Sequence, residues 1–349
     1  MISMCVEDLS PSWQESHSAV SLRNPSNPGP NPPMDGFAAM AGGYSDHTGG
    51  ADVLGQRAVA YYDAKDLPFY YWAATTFATS DRWFSPVLAR TQPNRMYLLS
   101  ATSQGYTFPP TNALSAKTIF ELLENAGVSW KVYVTNFWAP GKTGGTYMNY
   151  FSSFTSKHVD KFAPATQFTT DAQNGTLPQV SLIESGYESG LDEHPLNSIR
   201  VGAAYAREFI AALAESPSWK DSVFFLTFDE GGGFYDHVPP MATVNPDGIK
   251  PRDLKPGDPS GDFTLSGFRI PLMVISPFSK KGYVSHTPAD TTAMLKFIET
   301  RFNLPNLTKR DAAQPDMTEF FDFTNSPNLT FGTIPDQPTG GPCYANRVP

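Results

Sequence analysis

The apolar positions of this chain fall into short, dense runs separated by long polar stretches. Residues 223–228, VFFLTF, are apolar at five of six positions, the density of a short strand covered on both faces. Residues 270–275, IPLMVI, form a second run of this kind, and residues 177–185, LPQVSLIES, read as a third strand. Val128, Trp130, Val132 and Val134 alternate with the residues between them, which predicts a strand over 128–134. Helical spacing appears in four places. Pro68 suits a first turn and Tyr70, Ala73, Ala74 and Phe77 follow on one face. Residues 115–127 predict a helix with Ser115 as N-cap and Gly127 as its stop. Val201, Tyr205, Phe209 and Leu213 stand four apart with Ile210 beside them, and Met294, Phe297 and Ile298 mark a last helix over 293–302.

Strand, helix and strand over 177–228 predict a parallel crossover, with loops 184–200 and 229–243 opening on the same edge of the sheet. The expected fold is α/β, a doubly wound and mostly parallel sheet with helices on both faces. Residues 1–55 show neither period and are expected to be irregular, as are residues 241–268, rich in proline and glycine. The tail after Leu304 is expected to wrap the surface. A single domain over 1–349 is expected, with residues 135–175 as a lid or specificity insert. Trp138, Tyr147 and Tyr150 in that insert either present ring faces to a cationic headgroup or pack the loop onto the body.

Composition narrows the field. Forty per cent hydrophobic residues suit a globular fold, and 32 prolines with 27 glycines imply long loops. A net charge of −9 without a Lys/Arg cluster argues against a nucleic-acid partner. No apolar run is long enough to span a membrane, and the start of the chain does not read as an export signal. Cys5 and Cys343 either form a bridge between the two ends or are two buried thiols.

The candidate chemistry follows the run at 223–228. The strand ends in Asp229 and Glu230, three glycines let the backbone turn, and Asp236 and His237 return toward the acids. Ligands of open α/β sheets collect beyond the carboxyl ends of strands, so the acids form a candidate site for a divalent metal ion; the plain alternative is a polar loop. A cation beside two carboxylates admits a phosphate, polarises its oxygens and lowers the pKa of a bound hydroxyl. Thr91, before Pro93-Asn94-Arg95, is the candidate nucleophile, and needs a base or metal to activate it. Arg95 either holds a phosphate or pins its loop, and His194 and His237 are candidate proton donors.

In order along the chain, MDGF at 34–37, the segment YYDAKDLPFYYWAATTFATSDRWFSPVLARTQPNR, LPQVSLIES with DEHP, SPSWKDSVFFLTFDEGGGFYDHVPP, GFRIPLMVISPFSKKGYV and TTAMLKFIETRFNLP resemble the bacterial phosphoesterases. That family includes non-haemolytic phospholipases C and acid phosphatases and is related to the alkaline phosphatase superfamily. The resemblance implies hydrolysis of phosphate esters, with a small phosphorylated molecule or a phospholipid headgroup as substrate. It implies Thr91 as nucleophile and metal ligand, Asp229 and Glu230 as metal ligands, and Asn94 and Arg95 at the substrate. His194 and, with them, His17 and His237 are implied as site histidines. A secreted or periplasmic location is implied in the same way.

The chain departs from the family pattern at its start. A first strand with a Glu-Asn metal-binding motif is expected upstream of the first residue, so a truncated reading frame is the expectation. Ala89-Arg90 stands where Gly-Pro is common, and Thr291 where His is frequent. The alternative function is a non-catalytic homologue that binds a phosphorylated ligand or a partner.

Overall fold

The structure, a computed structural model, describes residues 3–330 and 332–343. Its first elements are two helices, α1 (Trp13–Val20) and α2 (Phe37–Thr48), within the stretch expected to be irregular. The apolar pattern hides them for a local reason. α1 is only eight residues long and buries Ser16 and His17 beside Trp13. α2 carries glycines that lower its intrinsic propensity, yet a Cβ on Gly42 would stand 2.5 Å from the Val53 carbonyl oxygen, so close backbone packing requires one.

Next come α3 (Pro68–Thr76), β1 (Ala78–Ser80), β2 (Trp83–Phe84), α4 (Thr91–Ser100) and α5 (Ile119–Asn125). The last starts later than its pattern predicts. Thr118 is the N-cap and accepts from the Glu121 N–H, whereas the Ser115 N–H donates to Gln104. β3 (Trp130–Val134), α6 (Ser152–Thr155), β4 (Phe162–Pro164), α7 (Thr166–Gln173), β5 (Val180–Glu184), α8 (Ile199–Ala214) and β6 (Phe224–Thr227) follow. β7 (Leu272–Ile275), β8 (Tyr283–Ser285), β9 (Ala289–Asp290), α9 (Thr292–Phe302) and α10 (Lys309–Ala312) complete the order. No helix among the described residues is long and apolar enough to cross a membrane.

Strand alternation makes the layers. Val132 and Val134 face one cluster with Met96 and Leu99 of α4, Leu122 and Leu123 of α5 and Leu295 of α9. Tyr133 faces the other, with Phe69 of α3, Phe168 of α7 and Ala203, Phe209 and Leu213 of α8. Helices therefore cover both faces, as the α/β reading expects. Within 135–175, expected to be a lid or specificity insert, β4 pairs parallel with β3, and Met148, Phe151 and Phe162 lie in the core.

The expected crossover between β5 and β6 is not one sheet. The strand order is β4-β3-β5 in one sheet and β6-β7-β1-β8 in another, with a short β2-β9 pair. β5 runs parallel to β3, and β6 runs antiparallel to β7. The crossover helix packs as expected, and Ile183 of β5 shares a cluster with Phe224 and Leu226 of β6. Among the described residues, however, neither strand has a ladder partner on its other edge. All four residues of β6 are only partly buried, while all four of β7 are buried. Hydrophobic pattern specifies which faces a strand buries but not its neighbour, and here the two part ways.

The ends of the chain settle the cysteine question. Cys5 and Cys343 are bonded at an S–S distance of 2.05 Å, across 338 residues of sequence. Loop closure over that length restricts the unfolded chain by on the order of 5 kcal/mol. The tail runs as a strap along α8: Arg207 donates to Pro335 O and Arg200 to Gly340 O, and the Met4 N–H donates to Pro342 O.

The loop after β5 is anchored by Glu193, which accepts a hydrogen bond from the Tyr70 hydroxyl and whose side chain lies where a Cβ on Gly202 would be. Burial pushes its carboxyl up to about 8, a rise that the Tyr70 bond opposes and Asp192 adds to. A carboxyl whose folded pKa is raised binds its proton in the native state over the range between the two values, so stability falls as pH climbs from about 4.5 to about 8. Glu193→Gln should remove that slope, leaving the variant more stable than the parent at pH 8.5 by on the order of 3 kcal/mol and little changed at pH 4.5. Denaturant unfolding at the two pH values measures it. Hydrogen exchange should also find the β6 amides that point away from β7 exchanging at loop-like rates, while β7 is protected; equal protection would contradict the open edge.

Candidate phosphoester site

The site is built on the first turn of α4. Arg90 takes the extended N-cap conformation and Thr91 is the first helical residue. The turn before it is set by Asn94, which is only 1% exposed. Its Oδ1 accepts from the Val87 N–H at 3.1 Å, and its Nδ2 donates to Ala89 O at 2.7 Å and Arg90 O at 3.1 Å. Asn94, expected at the substrate, is thus turned inward, because its amide satisfies backbone groups of the loop that delivers Thr91. The Thr91 hydroxyl is half-buried and forms no hydrogen bond with the described residues, at the positive end of a ten-residue helix.

Arg95 lies four residues on, so it shares a helix face with Thr91. Its Nε donates to Asp229 Oδ2 at 3.0 Å, its Nη1 stands 3.5 Å from Glu184 Oε2, and its Nη2 donates to Ser185 at 3.4 Å. The guanidinium carbon sits 5.2 Å from the centre of the Tyr147 ring. Burial opposes the charge of Arg95, but Asp229 and Glu184 more than compensate and hold it protonated above the ordinary guanidinium range. One side chain thereby joins the ends of β5 and β6.

Glu230 is the unsatisfied member. Its Oε2 is shielded from solvent with no hydrogen-bond partner among the described residues. Burial raises its pKa well above the carboxylate norm, with Asp229 and Asp8 adding to the rise and Arg90 and Arg95 opposing it. The N-terminal segment therefore brings a third acid, Asp8, within electrostatic range, though the sequence gives no sign that residues 1–16 contribute. An orphaned carboxylate oxygen next to a second carboxylate is the donor chemistry of a hard divalent cation. Asp229 and Glu230, with the Thr91 hydroxyl, fit such an ion in donor type. Among the described residues, no group of three or more His, Cys, Asp or Glu side chains is gathered as a metal site.

The histidines are not drawn into this cluster: none makes a hydrogen bond or ion pair with Thr91, Asp229 or Glu230 among the described residues. His17 is buried on α1, with Nδ1 2.7 Å from Trp13 O and its ring 4.1 Å from the Trp13 ring. Burial lowers its pKa to about 4, so it is neutral at physiological pH. His194 has Nδ1 2.5 Å from Pro195 O and its ring edge-on to Tyr187 at 5.0 Å. His237 is exposed, and its neighbour Asp236, expected to return to the acids, is instead held by Arg269 at 2.6 Å. Asp290 likewise is a structural acid, fully buried against Arg310 at 3.1 Å.

Glu184 is the site residue that sequence reading passes over. It is 2% exposed, its pKa is raised by burial against the pull of Arg95, and it accepts from Thr146 and the Tyr147 N–H. The signal was available: like Asp229, it is an acid at the carboxyl end of a short apolar strand. Trp138, by contrast, is 63% exposed, while Tyr147 and Tyr150 pack near each other with ring centres 6.3 Å apart.

Comparison with known proteins gives this geometry its context. Residues 1–305 match the Phosphoesterase family. Non-specific phospholipase C1 of Arabidopsis thaliana is 35% identical over 320 residues, 85% of this chain and 57% of that protein. Phospholipase C B of Mycobacterium tuberculosis is 33% identical over 356 residues, 93% of this chain and 65% of that protein. Non-hemolytic phospholipase C of Burkholderia pseudomallei is 31% identical over 360 residues, 84% of this chain and 49% of that protein. The chain thus spans roughly half to two thirds of the length of these relatives. A solved structure of an alkaline phosphatase superfamily protein from Vibrio parahaemolyticus overlaps 72% of this chain and 64% of its own at a TM-score of 0.45 and 12% identity. With a family model matched over most of its length and relatives above 30% identity, this chain belongs to the Phosphoesterase family.

Proposed function

We propose that the chain is a phosphoric ester hydrolase of the phospholipase C type, with Thr91 as nucleophile and a divalent metal ion held by Asp229, Glu230 and the Thr91 oxygen. The observation that carries this reading is the Arg95 guanidinium, which ties the helix turn bearing Thr91 to Asp229 at 3.0 Å. The relatives' names, all phospholipases C, support a phosphoester substrate such as a phospholipid headgroup or a small phosphorylated molecule.

When bound, the cation offsets the acids' charge and polarises the phosphoryl oxygens. The Thr91 hydroxyl, at the positive end of α4, gives up its proton to solvent and attacks phosphorus; a Thr91 Oγ1–P bond forms as the bond to the leaving alkoxide breaks in line. Arg95 faces the equatorial oxygens with the part of its fork left by Asp229 and Glu184. The alkoxide takes a proton from a histidine; His194 is the stronger candidate, since its Nδ1–H is committed to Pro195 O and its imidazolium form keeps an Nε2–H to donate. Water then attacks the phosphothreonine and returns the hydroxyl. His237, on the exposed loop, is a second proton carrier in this reading. The Cys5–Cys343 bond supports an oxidising, secreted or periplasmic setting.

A second reading, a homologue that binds a phosphorylated ligand without turnover, is favoured by the absence of a gathered three-ligand metal site among the described residues. Catalysis separates the two. Thr91→Ala should lower kcat for p-nitrophenyl phosphate by at least about 10³ and abolish acid-stable phosphate labelling of the chain, while vanadate binding persists. Unchanged turnover would remove Thr91 from the mechanism; no turnover by the parent with retained vanadate binding would favour the second reading. Added Mn²⁺ or Zn²⁺ at about 100 times its Kd should stabilise the parent by about 2.7 kcal/mol, read as a rise in Tm that Glu230→Gln largely removes.

A further inference from the structure

Glu184 sits where three parts of the molecule meet. It ends β5, and its Oε1 accepts from Thr146 Oγ1 at 3.0 Å and from the Tyr147 N–H at 3.3 Å. Its Oε2 makes no hydrogen bond among the described residues and instead faces Arg95 Nη1 at 3.5 Å. The two oxygens thus serve different masters: one takes the base of the loop carrying Trp138, the other takes the guanidinium beside the nucleophile.

The loop reaches Arg95 a second time, through the Tyr147 ring at 5.2 Å. Between strand and clasp, residues 136–145 are closed by the Gly145 N–H donating to Asn136 O at 2.9 Å. Gly144, at φ 69°, turns the backbone where a Cβ would stand 2.7 Å from that same carbonyl oxygen. The loop is therefore stiff at its base, and a shift there moves Thr146 and Tyr147 together. The same buried carboxylate that holds the loop's donors also offsets the partly buried Arg95 guanidinium, so the fastening of the loop and the setting of the arginine depend on one charged group.

We infer that Glu184 is a positioning residue that converts the placement of the 136–147 loop into the placement of Arg95, and so of the phosphate relative to Thr91. The inference rests on the hydrolase reading for its functional half and on geometry alone for its structural half. Its consequence is that the loop acts on turnover as well as on binding of the ester's organic group: Arg95 is held in register with Thr91 only while the loop is seated.

The test uses the full chain with Glu184→Gln, Glu184→Asp and Thr146→Val, each checked for folding by circular dichroism. Amide exchange over residues 144–149 is measured by mass spectrometry, and steady-state hydrolysis with p-nitrophenyl phosphate and p-nitrophenylphosphorylcholine. Glu184→Gln should speed exchange of the loop amides about tenfold and lower kcat for both esters about tenfold. Glu184→Asp, which keeps the charge on a shorter arm, should recover part of the lost kcat. Thr146→Val should speed loop exchange and raise KM for the choline ester more than it lowers kcat. Loop exchange or kcat at the parent level in folded Glu184→Gln overturns the inference. If the parent turns over neither ester, the hydrolase reading falls on its own, and the exchange data still decide whether Glu184 ties the loop: faster exchange supports the tie, unchanged exchange removes it.

Discussion

A permanently charged guanidinium that is mostly covered has to be met by charge from the protein, and the organisation of this molecule around Arg95, 18% exposed, follows from that requirement. Asp229 closes one strand, Glu184 another, and the two strands share no ladder hydrogen bond. Their ends are joined by a side chain instead of by backbone pairing. Removing either acid would leave the cation short of a partner in a poorly hydrated place, the situation in which one charge costs several kcal/mol rather than tenths. The same constraint keeps the α4 turn in place, since Arg95 cannot move toward its acids without carrying Thr91 with it.

Two carboxyls near this region show how burial can have different meanings. Glu193 and Glu230 each keep one oxygen without a hydrogen bond among the described residues, and burial raises both. Glu193 is satisfied through its other oxygen by the Tyr70 hydroxyl and fastens a loop. Glu230 has Asp229 and Asp8 near it, which add to the rise, and Arg90 and Arg95, which oppose it. The distinction comes from the company each residue keeps and not from how deeply it lies.

Much of the scaffold was legible in the hydrophobic pattern. β3, β5, β6 and β7, with α3, α8 and α9, fall where period and run length put them, because each is driven by burial of its own apolar face. The pattern failed at α1 and α2, where only Trp13, Val20 and Phe37 are large apolar members of buried faces otherwise made of small and polar residues. It failed again on strand neighbours, since period two encodes face and not partner. Of the acids and cation that residue type singled out, Arg95 and Asp229 are in contact and Glu230 is next in sequence. Residue type misjudged Asn94 and Asp236, whose donors and acceptors are claimed by a backbone turn and by Arg269. Which partner wins such a group is a tertiary matter, invisible to a reading along the chain.

The strap along α8 bears on the order in which the protein is made. Its anchor, Cys343, is bonded to Cys5 across 338 residues of sequence, so both residues have to be synthesised before the fold is locked. While the chain is emerging from the ribosome, Met4 has no Pro342 to donate to, and the exposed flank of α8 awaits its cover. Until then the segment carrying Asp8 is held by Arg57, which donates to Glu7 O and Asp8 O, and by Tyr62, which donates to Ser3 O. Locking of this segment is therefore timed by synthesis of Cys343 and by the supply of oxidant.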